Sequence, residues 1–338
     1  MPSKGSFIIV GENIHCTRVR LTKGKYVAQL DDGTSALVFA EDGKKRYLPI
    51  PADVVEGQDF KDGKVRHVAV AVQQGLYGSD EEQDAGRRYV QAMAVEQESA
   101  GAWFLDVNVD EFSIDQDEKK RAMEWVARVV QSATSIPLSI DSSDPQILET
   151  GLAACDPSKG KPLVNSVSLE RVGFVPIAAK AKACVIASAM GATSMPQTKE
   201  ERQENIYELV PKLQEAGIPL SDTFLDPLVF PVSVDVQNGP TVIETIRTLR
   251  EKYGEEVHFA PGLSNVSHGF PRRSVLNRVF ARLCREAGCD GGIVDPAQIN
   301  DEVLAGIDFS DEVNTLAKNV LLGKDEFGMA FISAIRGS

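Results

Sequence analysis

Polar side chains recur along this chain directly after short apolar runs. Gly11-Glu12-Asn13 follows the run 7–10, and Asp106 and Asn108 close the run that starts at 103. Asp141, with Ser142 and Ser143, closes 137–140, and Asn165-Ser166 follows 162–164. Ser188 follows 183–187, Asp226-Pro227 follows 223–225, Ser264-Asn265 comes after 257–260, and Asp295-Pro296 after 291–294. Carboxylates, amides and hydroxyls gathered in one place have two chemical uses. They bind a hard cation through oxygen. Alternatively they hydrogen-bond a flat heterocycle rich in N–H donors, because a carboxylate accepts two N–H bonds side by side and an amide both donates and accepts. The residue types leave both uses open. Some of these residues have the form of helix caps, as does Asp144 before Pro145, and Asp295-Pro296 fits the same description. Asp141 and Asp226 do not, since each ends an apolar run and is not placed just before a helix.

The elements that must position these residues are legible in the periodicity. The eight apolar runs read as buried strands. Between most of them lie stretches with apolar residues at i, i+3, i+4 spacing, at about 118–132, 200–216 and 273–287. Strand and helix in alternation make an α/β protein with a parallel sheet. A closed barrel and an open doubly wound sheet both fit that pattern. In a barrel all the strand ends converge on one face, where catalytic groups gather.

One segment breaks the rhythm. About 65 residues between the first strand and a helix at 81–100 have a different character. Tyr26 to Leu30, a turn at Asp31-Asp32-Gly33 and Ser35 to Phe39 read as a β-hairpin. A further strand is expected at 46–50 and one more at 65–72. The segment 16–80 is therefore read as a β-rich insertion in the first βα loop of a single domain spanning 1–338.

Composition bounds the function. The chain has 338 residues, 43% hydrophobic and 25% charged, as expected of a globular protein with a large core. Its net charge of −13 argues against nucleic acid as a partner, because phosphate contacts need clustered Lys and Arg. No apolar stretch of about 18 residues predicts a membrane span, and the N-terminal apolar run is too short for a secretory signal. Five cysteines without a CxxC pair point to free thiols in a reducing compartment, so a cytoplasmic location is expected. Cys284 and Cys289 read as core thiols. The four histidines, at 15, 67, 258 and 268, are too dispersed for a metal site, and none is expected.

The wording of the motifs is more specific. Val10-Gly-Glu-Asn-Ile-His15, Leu105-Asp-Val-Asn108, Leu138-Ser-Ile-Asp-Ser-Ser143, Leu163-Val-Asn-Ser166, Phe224-Leu-Asp-Pro-Leu228 and Gly262-Leu-Ser-Asn-Val-Ser267 occur in this order, followed by Arg273 and Leu276-Asn277-Arg278. Together they resemble the pterin-binding methyltransferases, most closely the methyltetrahydrofolate:corrinoid protein methyltransferases. That barrel family also includes dihydropteroate synthase and the folate-binding module of cobalamin-dependent methionine synthase. The resemblance covers 7–10 and about 81 onward, and leaves the insertion outside.

The resemblance implies a (β/α)8 TIM barrel and a role for each position. Asp141, Asn165 and Asp226 match the residues that hold the pterin ring's N–H and amino groups. Asn265 matches the amide that reaches toward pterin N5, where the methyl group is carried, so Asn265 and Asp141 are the expected catalytic pair. Glu12, Asp106 and Asn108 line the same site, and Arg273 matches a basic residue near the folate side chain or the corrinoid. Tetrahydrofolate or 5-methyltetrahydrofolate is the implied substrate, a corrinoid carried by a partner protein the second participant, and a homodimer the implied assembly. The chemistry agrees, because an N5-methyl group leaves a tertiary amine only if N5 is protonated or strongly hydrogen-bonded. An asparagine amide rotates to serve both states of N5.

Two positions depart from the family. His15 stands where an amide is usual, and His268 where a glutamine is common. A free imidazole titrates near neutrality, which would let a histidine there tune the protonation of N5. The rivals are a dihydropteroate synthase-like enzyme and a non-catalytic folate- or corrinoid-binding module. Dihydropteroate synthase carries a glycine-rich Asp-Pro-Gly after its sixth strand, where this chain has Asp226-Pro-Leu-Val-Phe-Pro231.

Overall fold

A computed structural model describes residues 5–336. The strands that carry the motifs are β1 (Ile8–His15), β2 (Phe104–Asn108), β3 (Leu138–Asp141), β4 (Leu163–Val167), β5 (Cys184–Ser188), β6 (Thr223–Asp226), β7 (His258–Phe259) and β8 (Gly291–Val294). They form one sheet in the order β7-β6-β5-β4-β3-β2-β1-β8. β1 pairs parallel with β8, β2 with β3, β4 with β5, β5 with β6, and β6 with β7. A parallel bridge between Gly262 and Ile293, with the Ile293 N–H 2.9 Å from the Pro261 carbonyl, joins the ends of that order. Strands in sequence order, returning to the first and separated by helices, make a (β/α)8 barrel.

The chain packs as two compact units. One comprises the chain up to Gly11, Ala100–Trp103 and everything from Leu163; the other comprises Glu12–Ser99 and Phe104–Pro162. In the first unit, β4 to β6 are buried and rich in Val, Ile, Leu and Phe, as strands covered on both faces must be. Its helices start where the sequence supplies a cap. Thr198 accepts the Glu201 N–H while Glu201 reaches back to the Thr198 N–H, a capping box that fixes the start of helix Lys199–Glu215.

In the second unit, Asp115 caps helix Gln116–Ala133, and Asp144, with Pro145 behind it, caps helix Pro145–Ala154. Asp144 is the cap its sequence suggested. Val27–Gln29, Ser35–Glu41 and Lys44–Pro49 form a three-stranded antiparallel sheet, so the expected hairpin is present. Val19–Leu21 pairs with Lys64–Arg66.

The strand expected at 65–72 is corrected: it stops at Arg66, and His67–Tyr77 is a helix. Its alternating Val and Ala residues mimic a strand, but Val68, Val72 and Ala71, Gly75 are buried i, i+4 pairs, and Ala71 and Gly75 meet other helices. A Cβ on Gly86 of helix Asp80–Ser99 would lie 2.6 Å from the Ala71 carbonyl oxygen, so two helix backbones touch there. A Cβ on Gly75 would lie 2.0 Å from the Trp125 ring. Close helix packing, not β-pairing, buries this run. Among the described residues no helix is long and apolar enough to cross a membrane.

Candidate active site

The second unit contributes a histidine–carboxylate cluster. β1 does not stop at Val10, as its apolar run suggested, but continues to His15. The Asn13 N–H reaches Gln97 Oε1 at 3.1 Å and the Cys16 N–H reaches the Asn108 carbonyl at 3.0 Å, which carries the extended backbone past the polar triplet. His15 is thereby placed at a strand end, beside the ends of β2 and β3. Its Nε2 lies 2.8 Å from Asp141 Oδ2 and 3.8 Å from Asp106 Oδ2, and its Nδ1 lies 3.0 Å from Thr17 Oγ1. Asp106 is fully buried and accepts a 2.5 Å bond from Ser139 Oγ.

Burial opposes charge on His15, but the Asp141 hydrogen bond and the fields of Asp106 and Asp141 outweigh it, and its pKa is raised from 6.5. The ring therefore holds a proton against Asp141 more readily than a free histidine would. These three side chains bring ligand-type atoms within 4.8 Å of one another, a spacing a cation can bridge. Within the cluster His15 Nε2 and Asp141 Oδ2 are hydrogen-bonded.

The neighbours of this cluster are committed elsewhere. Glu12 pairs with Arg18 at 3.0 Å, and Arg18 Nε also donates to the Glu12 carbonyl. The Asn108 side-chain oxygen accepts the Asp110 N–H at 2.9 Å. Cys16, next to His15, is fully buried, which pushes its thiol up to about 12.

The first unit contributes a second group. Asn165 lies within β4, and Asp226 is the last residue of β6, where Oδ1 accepts the Leu228 N–H at 2.9 Å. Burial pushes the Asp226 carboxyl up to about 6, against the pull of the Leu228 bond and the Arg202 charge. Asn265 sits exposed in the turn Leu263–Ser267 after β7. A Cβ on Gly262 would come within 3.0 Å of Asn265 Nδ2, so glycine makes room for that amide. Arg273 donates from Nε to Ser267 Oγ at 3.0 Å and from Nη2 to the Ser264 carbonyl at 2.8 Å. It thus staples the turn that carries Asn265. His268 is also exposed, and its carbonyl accepts a bond from Ser233.

Sequence reasoning missed Arg202. It is fully buried in helix Lys199–Glu215, and its three guanidinium nitrogens have no hydrogen-bond partner among the described residues. The signal was available, because Arg202 precedes Ile206 by four residues and Leu209 by seven, on the buried stripe of that helix.

The sequence pattern of the family described as pterin binding enzyme matches residues 80–295. The chain belongs to that family. The matched span holds Asp106, Asn108, Asp141, Asn165, Asp226, Asn265, His268 and Arg273, and leaves Glu12 and His15 outside. Among pterin-binding relatives, a methylcorrinoid:tetrahydrofolate methyltransferase of Eubacterium limosum is 28% identical over 253 residues, 73% of this chain and 87% of that protein. A methionine synthase of Mycobacterium tuberculosis is 28% identical over 222 residues, 61% of this chain but only 18% of the synthase. A dihydropteroate synthase of Xanthomonas albilineans, solved in complex with indole-2-carboxylic acid and 6-chloroguanine, superposes with a TM-score of 0.51 at 19% identity over 64% of this chain and 82% of that one. The last likeness concerns the barrel fold alone.

Proposed function

We propose that this protein transfers a methyl group between N5 of tetrahydrofolate and a corrinoid carried by a partner protein. The observation that carries the reading is that a methylcorrinoid:tetrahydrofolate methyltransferase aligns over 87% of its own length with this chain. The donor set supports it. Asn165 is the third of the five residues of β4, while Asp141 and Asp226 close their strands. In one parallel sheet these are carboxyl ends, where barrels bind substrate. Carboxylates and an amide fit a heterocycle whose edge is rich in N–H donors.

In this reading Asp141, Asn165 and Asp226 bind the pterin ring, with Glu12, Asp106, Asn108 and His268 beside it. The Asn265 amide hydrogen-bonds N5 and follows its change of charge as the methyl group moves. Its exposed turn, stapled by Arg273, suits a group that must meet a large second substrate. The corrinoid, when the partner brings it, supplies the cobalt that takes or gives the methyl group. The protein's own contribution is placement of the two substrates and stabilisation of charge at N5. The resemblance also suggests a homodimer.

The test is optical. The chain, mixed with a methylated corrinoid protein and tetrahydrofolate, should generate the absorbance of the Co(I) corrinoid. An active partner whose spectrum never changes, together with tight folate binding, would instead support a non-catalytic binding module.

A further inference from the structure

The insertion carries a charge imbalance that the account above does not use. The chain has 49 acidic and 36 basic residues, yet between Glu12 and Asp31 no acid occurs and Arg18, Arg20, Lys23 and Lys25 do. Strand Val19–Leu21 pairs antiparallel with Lys64–Arg66, with Val19 opposite Arg66 and Leu21 opposite Lys64. Strand alternation puts these four side chains on one face, and Arg20 and Val65 on the other. The four are exposed and Val65 is buried, so the ribbon turns an apolar and basic face to solvent. Arg18 is neutralised by Glu12, and Arg66 by Asp59 and Glu111. Arg20, Lys23, Lys25 and Lys64 pair with no carboxylate among the described residues. Arg20 and Lys25 instead lie over the Tyr26 ring, 4.4 and 5.1 Å from its centre. Unpaired cations gathered on one ribbon of an acidic protein repel one another and attract an anion.

The place of the ribbon indicates which anion. The Arg18 N–H donates to the His15 carbonyl at 3.0 Å, and His15 Nε2 is bonded to Asp141 at 2.8 Å. Arg66 reaches Glu111, just past the end of β2 at Asn108. The ribbon therefore stands beside the strand ends that carry Asp106 and Asp141, in the same compact unit. A folate continues from its pterin into an apolar aminobenzoyl ring and then into γ-linked glutamates, each adding one carboxylate. Apolar surface followed by cations matches that order. We propose that the ribbon binds the γ-glutamyl tail of the folate, with Lys23, Lys25 and Lys64 pairing its carboxylates. The proposal rests on the folate reading and adds to it a choice among folates by tail length. The insertion lies outside the span 80–295 that matches the family, so this preference belongs to the insertion and not to the barrel.

The experiment titrates the full chain calorimetrically with 5-methyltetrahydrofolate carrying one glutamate and with the same folate carrying three. Two added carboxylates in exposed ion pairs should tighten binding by about 2- to 30-fold at low salt. In about 1 M NaCl, where the screening length falls to about 3 Å, the ratio should approach one. The triple variant Lys23→Gln, Lys25→Gln, Lys64→Gln should lose most of the preference, and Lys→Arg at the same three positions should keep it. Wild type binding both folates equally, or the glutamine variant keeping the wild-type ratio, would overturn the proposal and leave the folate reading intact. A glutamine variant with a raised KM for the methylated corrinoid protein and an unchanged ratio also overturns it, and makes the ribbon a docking face for an acidic partner protein. If wild type binds neither folate, the folate reading falls and this inference with it. Should the glutamine variant fail to fold, the wild-type ratio and its salt dependence decide, and a ratio of one, or one that salt does not move, refutes the assignment.

Discussion

Asp226→Asn should stabilise the ligand-free protein while weakening its hold on the pterin. Burial sets the Asp226 carboxyl at about 6, against 3.8 for the free group. Keeping it ionised at neutral pH therefore costs the fold about 3 kcal/mol, at 1.36 kcal/mol per pKa unit. The folded-state value is the higher one, so the native state prefers the protonated form. Stability from this group is full below 3.8 and is lost as pH rises through 6. Asparagine removes that loss, and because its amide carries a desolvation cost of its own, about 3 kcal/mol is a ceiling. Unfolding entropy of about 2 cal/mol/K per residue converts the ceiling to a rise of about 4 °C in Tm at pH 7.5. About half of the free-energy gain should remain at pH 5, where most of the wild-type carboxyl is already protonated. Scanning calorimetry of both proteins at the two pH values measures the shift, and titration with tetrahydrofolate on the same samples measures binding. A variant that melts below wild type at pH 7.5, or a gain that does not shrink at pH 5, would show that Asp226 is not a strained, buried acid.

The remaining predictions test other parts of the site and the fold. His15 has a raised pKa, so its bond to Asp141 stabilises the protein fully below 6.5 and less as pH climbs through the higher folded value; His15→Asn should therefore cost more stability at pH 6 than at pH 9 in urea unfolding, and an equal cost at both would exclude an imidazolium–carboxylate pair. Asn265→Ala should lower the rate of methyl transfer by about 10- to 1,000-fold, the range seen when one charge-stabilising donor is removed, with a smaller change in folate Kd, whereas Asp141→Ala should abolish folate binding; stopped-flow absorbance and calorimetry separate the two, and wild-type turnover by the Asn265 variant would end its assigned role. Gly86→Ala should destabilise by about 1–3 kcal/mol through overpacking against the Ala71 carbonyl, even though alanine gains about 1 kcal/mol in helix propensity, and a stabilised variant would mean that the two helices separate easily.

The strands of the barrel were legible because they are buried on both faces, whereas its closure was implied only by the family resemblance. Such strands read as unbroken apolar runs, and all eight lie where those runs predict. The ends were less legible. The apolar run of β1 ends at Val10, where the polar Gly11-Glu12-Asn13 begins, yet long-range bonds to Gln97 and Asn108 hold that triplet extended and carry His15 to the cluster. The residues 65–72 read as a strand because Val-Ala alternation satisfies a two-residue period, whereas the partners of helix His67–Tyr77 lie on the next helix, Asp80–Ser99, and on helix Gln116–Ala133. Asp141 and Asp226 declared themselves as carboxylates ending apolar strands. Arg202 did not, because nothing local distinguishes a buried arginine from one that reaches solvent at the helix edge. Only its place on the stripe shared with Ile206 and Leu209 marks it. For Arg273, the resemblance implies a place near the folate side chain or the corrinoid, and the fold adds its hydrogen bonds to the turn around Asn265, which no local pattern announced.

Sulfur in its anionic form is a strong competitor for any mobile alkyl group. Cys16 is the immediate chain neighbour of His15, and a thiol with a value of about 12 leaves only about one molecule in 100,000 ionised at pH 7. If the protein moves methyl groups as proposed, sealing that thiol in its protonated state keeps it from taking the methyl group as a dead-end thioether. An exchange of Cys16 for serine would then be expected to leave the yield of transferred methyl unchanged, whereas unsealing the thiol would not.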